Sequence, residues 1–137
     1  MASALDRKAS AFSDLALLLA RILIAALFLV VAYNTIKGMS GSIGYFTRLG
    51  VPRPSIMVPV VLVFEVVAGI LLLVGFMTRL VALAIAAFVI IAALIAHTNF
   101  ADANQLNHFL KNFAIVGGCL ALFVAGAGAH SMDAKRR

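Results

Sequence analysis

The chain reads as an all-α integral membrane protein, a four-transmembrane-helix bundle running up-down-up-down. Three observations predict this. Of the 137 residues 64% are hydrophobic and the mean hydropathy is +1.13, whereas a water-soluble globule is closer to half apolar. Four stretches, about 15–36, 56–77, 80–97 and 109–127, are each near the length that crosses a bilayer as a helix. The link between the second and third is too short for anything but an antiparallel hairpin. Little chain remains outside the spans, so residues 1–137 read as a single membrane domain whose surroundings are the lipid bilayer.

The first span opens after Arg7 and Lys8 and closes at Tyr33-Asn34-Thr35-Ile36-Lys37. Its apolar stretch exceeds the usual 7–15 residues of a signal peptide and no A-x-A site follows, so it reads as a retained helix. The first loop, Lys37 to Pro54, is the longest and is rich in glycine and proline. Within it Ile43, Tyr45, Phe46 and Leu49 recur at helical spacing with Arg48 offset, which predicts a short amphipathic segment at the outer interface. That segment is either an interfacial anchor or a lid over a site in the bundle. Ser55 is placed to cap the second helix, with Pro59 in its first turn. Gly75 and Thr78-Arg79 make the short second connection. The third, Thr98 to His108, is polar and carries Asn99, Asp102, Asn104, Gln105 and Asn107.

The formal charge of +6 suggests nucleic acid at first sight, but in so apolar a chain it reports orientation in the membrane. Arg7, Lys8, Arg79, Lys135, Arg136 and Arg137 fall on one side; Lys37, Arg48, Arg53 and Lys111 fall on the other. The bias predicts a bacterial inner-membrane protein with both termini in the cytoplasm. Cys119 is the only cysteine, which excludes an intrachain disulfide and a C-x-x-C relay; it reads as a small packing residue in the fourth span. His97, Asp102 and His108 lack the spacing of a metal site. No P-loop, Rossmann glycine pattern or nucleophile elbow occurs.

Small residues mark helix packing. Gly117, Ala121 and Ala125 stand four apart on one stripe of the fourth span, and Ala114 with Gly118 forms a second; such spacing lets helices approach closely in lipid. Glu65 has Gly69 one turn further on, so it too is expected to point into the bundle. Ala20-Arg21-Ile22-Leu23 and Thr78-Arg79-Leu80-Val81 form a faint echo, each opening an odd-numbered span with an arginine.

Glu65 and Arg21 are the leading candidates for function, because an ionised group inside a span costs ~2.5–3.5 kcal/mol on insertion scales and persists only if paired, hydrated or used. At about 1.5 Å of rise per residue, Arg21 lies roughly 6 Å below the bilayer centre and Glu65 close to it, within reach of an arginine side chain. The pair is expected either to pin the first two helices or to make Glu65 a proton-active or ligand-gripping acid. Lys37, Asn34, His97, Lys111 and Asn112 gather at the outer ends of the spans. They read either as snorkelling and interfacial groups or as a polar vestibule above Glu65 able to hold a quinone-like headgroup.

In order and spacing these residues resemble the DoxX family of small four-helix bacterial inner-membrane proteins, in particular its YphA-like members. The resemblance covers almost the whole chain. It rests on Ala20-Arg21-Ile22-Leu23, Tyr45-Phe46 with Leu49-Gly50-Val51-Pro52, Glu65 and Gly69, and Gly75-Phe76-Met77-Thr78-Arg79. It continues through His97 to Phe100, Lys111-Asn112, and Gly126-Ala127-Gly128-Ala129-His130-Ser131-Met132-Asp133. It implies importance for Arg21, Lys37, Glu65, Arg79, Lys111 and Asn112. It also implies relatives among membrane subunits of a thiosulfate:quinone oxidoreductase and partners in redox-stress complexes. Relatives often carry Trp or Tyr after His97, where this chain has Asn99-Phe100, which weakens a headgroup role there. The leading expectation is therefore an accessory or quinone-linked subunit of a membrane redox or oxidative-stress system, with a redox partner subunit or a homo-oligomer as its assembly. Its rivals are a non-catalytic scaffold that stabilises a partner and a small-solute or proton-coupled transporter using Glu65.

Overall fold

A computed structural model describes residues 3–136. Seven helices follow one another among the described residues: α1 (Ala4–Ala11), α2 (Ser13–Lys37), α3 (Met39–Arg48), α4 (Pro54–Val74), α5 (Thr78–Ala96), α6 (Ala103–Ala125) and α7 (Met132–Lys135). Four of them, α2, α4, α5 and α6, are long and apolar enough to cross a membrane. They alternate in direction, which puts both described termini and the α4–α5 turn on one face of the bundle. The α2–α3–α4 and α5–α6 connections lie on the other. We call these the terminal face and the loop face.

The bundle is built from two antiparallel pairs, α2 on α4 and α5 on α6. The core joining them consists of Ala25 and Phe28, Ala68 and Leu72, Val81, Ala82, Ile85, Ala86 and Val89, and Val116, Cys119 and Leu122. Phe88 links the pairs, its ring 6.0 Å from that of Phe28 and 4.7 Å from that of Phe64. Aromatic neighbours at these separations pack tilted or edge-on. Outside this core the helices present large apolar side chains such as Leu23, Val63, Leu94 and Val124 outward. In water such a surface is unfavourable; in hydrocarbon it is the matched one.

The helix ends depart from the apolar runs in instructive ways. α4 starts at Pro54, after Arg53 at φ 49°, so Ser55 is the second helical residue and not its cap. Pro59 lies inside the helix, in its second turn, where the lost N–H removes one internal hydrogen bond. The same helix stops at Val74, three residues before the apolar run ends, because Gly75 takes a left-handed conformation at φ 71° and closes it. α6 begins at Ala103, six residues before its apolar run, because the Asp102 carboxylate accepts the Asn104 N–H and caps it. The third connection therefore shrinks to residues 97–102. In the first loop the expected amphipathic segment is α3, with Ile43, Phe46 and Leu49 half-buried towards α4. α1 has no signature in hydropathy; its signal is the reciprocal Ser3–Asp6 capping box.

Candidate functional site

Arg21 is fully buried, and its neighbours are carbonyls. Nη1 donates to the carbonyls of Leu72 and Leu73 at 3.2 and 3.0 Å, and Nη2 donates to that of His130. Leu72 and Leu73 belong to the last turn of α4, whose carbonyls have no partner within the helix. A guanidinium there satisfies those acceptors and complements the negative end of the helix.

Arg79 does the same for the other helix pair. Its Nη1 donates to Phe123 and Val124 at 3.1 and 2.9 Å, in the last turn of α6. Each odd-numbered span thus carries, near its start, an arginine that caps the end of the following span. The echo between residues 20–23 and 78–81 has a shared structural role.

The expected Arg21–Glu65 pair does not form. Glu65 is buried at 7% exposure, and its Oε2 has no hydrogen-bond partner. The reason is the tilt of side chains: a Cα–Cβ bond leans towards its own helix N-terminus. α2 starts on the terminal face and α4 on the loop face, so the two side chains lean apart. Arg21 meets Leu72 and Leu73, which lie about 10–12 Å beyond Glu65 along the helix. Glu65 shares the buried stripe of α4 with Ala68, Gly69 and Leu72. Gly69, one turn away, packs so closely that a Cβ on it would lie 2.9 Å from Leu29.

The C-terminal segment Gly126–Arg136 closes the terminal face. Asp133 accepts the N–H groups of Met77 and Thr78 at 2.8 and 2.9 Å, capping α5, while its own N–H donates to the Gly75 carbonyl. Burial pushes the Asp133 carboxyl up, but the Thr78 and Met77 N–H groups and the Arg136 charge outweigh that and hold it below its ordinary value. Asp14, in the first turn of α2, accepts the Ala129 N–H. Ser131 donates to Gly128 and caps α7. Arg136 lies over the Phe76 ring. Asp14, Ser131 and Asp133 carry no hydropathy signal; the only trace of Ser131 and Asp133 in the sequence is the Gly-Ala-Gly-Ala-His-Ser-Met-Asp run, and Asp14 leaves none.

On the loop face no hydrogen bond joins the members of the expected polar group among the described residues. Asn34, Lys37 and Lys111 are exposed, and Asn112 and His97 are half-buried. Lys37 lies over the ring of Tyr33 on its own helix. Because α6 starts at Ala103, Lys111 sits about two turns inside it rather than at its end. His97, just past α5, stacks on His108 at 5.0 Å; burial, and then the neighbouring His108, lower its pKa.

The small-residue stripes divide. Gly118 faces Ile24 of α2, where a Cβ would make ordinary contact at 3.5 Å. Ala114, Gly117, Ala121 and Ala125 are exposed, and nothing lies within 4 Å of where a Gly117 Cβ would be. Within this chain α6 packs instead through Val116, Cys119 and Leu122.

This arrangement defines a class: a four-span helical membrane protein in which Arg21, buried within a span, and Arg79, at the start of one, cap helix ends, and in which buried Glu65 has no ion-pair partner among the described residues. The DoxX family model matches residues 16–98. The inner membrane protein YqjF of Escherichia coli (strain K12) is 39% identical over 120 residues, 88% of this chain and 91% of YqjF. The inner membrane protein YphA of the same organism is 33% identical over 124 residues, 87% of this chain and 89% of YphA. No solved structure gives a significant match. The chain belongs to the DoxX family and is a multi-pass inner-membrane protein.

Proposed function

We propose that this DoxX-family protein is an accessory subunit that assembles with a partner in the membrane through the outer face of α6. The observation behind this reading is the exposed stripe of Ala114, Gly117, Ala121 and Ala125, open above Gly117. Small residues at this spacing favour close helix association in lipid, and here the chain does not use the stripe itself. Arg21 and Arg79 are engaged in capping, which fits a structural role. The distribution of positive charge supports an orientation with both termini in the cytoplasm.

A quinone-linked redox role is the second reading, and Glu65 favours it. A buried carboxyl oxygen without a partner is a group that a quinol hydroxyl would donate to, or that, when protonated, would donate to a quinone carbonyl. One experiment separates the two. Wild type, Gly117→Leu and Glu65→Gln are gently solubilised and compared by native mass spectrometry for assembly mass and bound quinone. The accessory reading expects Gly117→Leu to lose the assembly and Glu65→Gln to keep it. Quinone bound to the wild type and absent from Glu65→Gln, with assembly unaffected by Gly117→Leu, would replace it with the redox reading.

A further inference from the structure

A cavity of about 940 Å³ opens on the terminal face, between the starts of α2 and α5 and the end of α6. It is large enough for a small-molecule group, which typically needs ~300–1,000 Å³. Its composition is layered. Arg79, Arg136, Asp14 and Asp133 line it at the level where the spans begin and end, Leu80 lies next to Arg79, and Leu17 lines it about one turn deeper. Polar headgroup above and hydrocarbon below is the order of a bilayer's own boundary.

The charged groups differ in what they have left to offer. Both oxygens of Asp133 are taken by Met77 and Thr78. Asp14 engages only Oδ1, with Ala129. Arg79 uses only Nη1 for the α6 carbonyls, and its Nε–Nη2 edge lies against Gly126, where a Cβ would come within 3.1 Å of Nη2. Beside this edge α5 begins. Asp133 covers its Met77 and Thr78 N–H groups, while those of Arg79 and Leu80 make no backbone hydrogen bond. Thr78, 1% exposed, is among the residues that border the cavity, and its hydroxyl is buried without a partner. A planar N–H fork beside free helix N-terminal donors suits a phosphate oxygen pair.

We infer that this cavity binds the headgroup of an amine-bearing phospholipid, its phosphodiester on Arg79 and the start of α5, its ammonium on Asp14. The two charged ends of the site lie along one short stretch of tail: Gly126 abuts Arg79, and Gly128, two residues on, lies beside Asp14 Oδ1. Two arginines and two aspartates balance in charge, which matches a zwitterion better than a net anion. The acyl chains leave past Leu17 and Leu80 into the bilayer.

Native mass spectrometry of the full chain, with phosphatidylethanolamine, phosphatidylcholine, phosphatidylglycerol and free phosphoethanolamine added separately, tests this. Asp14→Asn is the informative variant, because it keeps an acceptor for the Ala129 N–H and removes only the charge. Arg79→Lys keeps a cation for the α6 carbonyls and removes the fork. The wild type should retain phosphatidylethanolamine over the other two lipids. Asp14→Asn should weaken that preference about tenfold, as for one lost charge-assisted contact, and Arg79→Lys should weaken retention with circular dichroism unchanged. Equal retention of all three lipids, or wild-type preference in both variants, overturns the inference. Free phosphoethanolamine binding as tightly as the lipid overturns its membrane source.

Discussion

Arg21 and Gly75 share one space: a Cβ on Gly75 would lie 2.6 Å from Arg21 Nη1 and would also collide with the Ser131 side chain. Gly75 is at φ 71° as well, a conformation that costs an L-residue about 1–2 kcal/mol. The glycine therefore both ends α4 and clears the route by which the Arg21 guanidinium reaches the carbonyls of Leu72 and Leu73.

Two substitutions test this relationship. Gly75→Ala is expected to lower stability by about 2–4 kcal/mol from strain and overpacking together. Arg21→Met removes the side-chain donors to the Leu73 and His130 carbonyls, while Leu72 keeps the Gly75 N–H, and is expected to cost about 1–3 kcal/mol. Unfolding followed by circular dichroism in mild detergent measures both. A wild-type midpoint for Arg21→Met contradicts its capping role.

The tail's hold on α5 has a pH signature. Asp133 titrates below its ordinary 3.8 in the folded chain, so its stabilisation is present above that value and is lost as pH falls through the folded pKa. At neutral pH, Asp133→Ala is expected to cost about 1–2 kcal/mol, the range of a lost helix cap. The difference between wild type and variant should shrink in unfolding experiments below about pH 4.

On the loop face the sign is fixed by a lowered histidine. His97 prefers to be neutral in the folded chain because it is partly buried and stacked on His108. Its unfolded form takes up a proton first as pH drops below 6.5, so the folded state loses stability from there downward. A melting-temperature profile between pH 7.5 and about 5.5 should show this slope in the wild type and a flatter one in His97→Asn.

Gly69 and Gly117 make a matched pair. A Cβ on Gly69 presses on Leu29 at 2.9 Å, whereas one on Gly117 meets open space. Gly69→Ala should destabilise by about 1–3 kcal/mol through overpacking. Gly117→Ala should be neutral or raise stability by up to about 1 kcal/mol from helix propensity. Parallel thermal melts of the two variants would show the contrast, and equal losses would place Gly117 at an internal contact.

Much of the fold was legible because its signal is local. A run such as Ile56–Met77 declares a span by itself, and Ile43, Phe46 and Leu49 declare α3 by periodicity. Helix ends were legible only where hydropathy marks them. Asp102 starts α6 inside a polar stretch, and Gly75 stops α4 inside an apolar one, so both ends moved. Gly69 and Gly117 share a small-residue context yet face opposite ways, and spacing alone cannot rank the faces of a helix that is apolar all round.

The sequence by itself determined the number, order and membrane setting of the spans, since burial in lipid is a sum over neighbours in the chain. It also singled out Arg21 and Glu65 by the cost of charge in such runs. What those groups touch was decided only by tertiary structure. Antiparallel packing tilts Arg21 and Glu65 away from each other, so depth along the helices alone misplaces the pair. The partners of Arg21, Leu72, Leu73 and His130, stand 51, 52 and 109 residues away, and Asp14 meets Ala129 at 115. Such contacts depend on where whole helices come to rest.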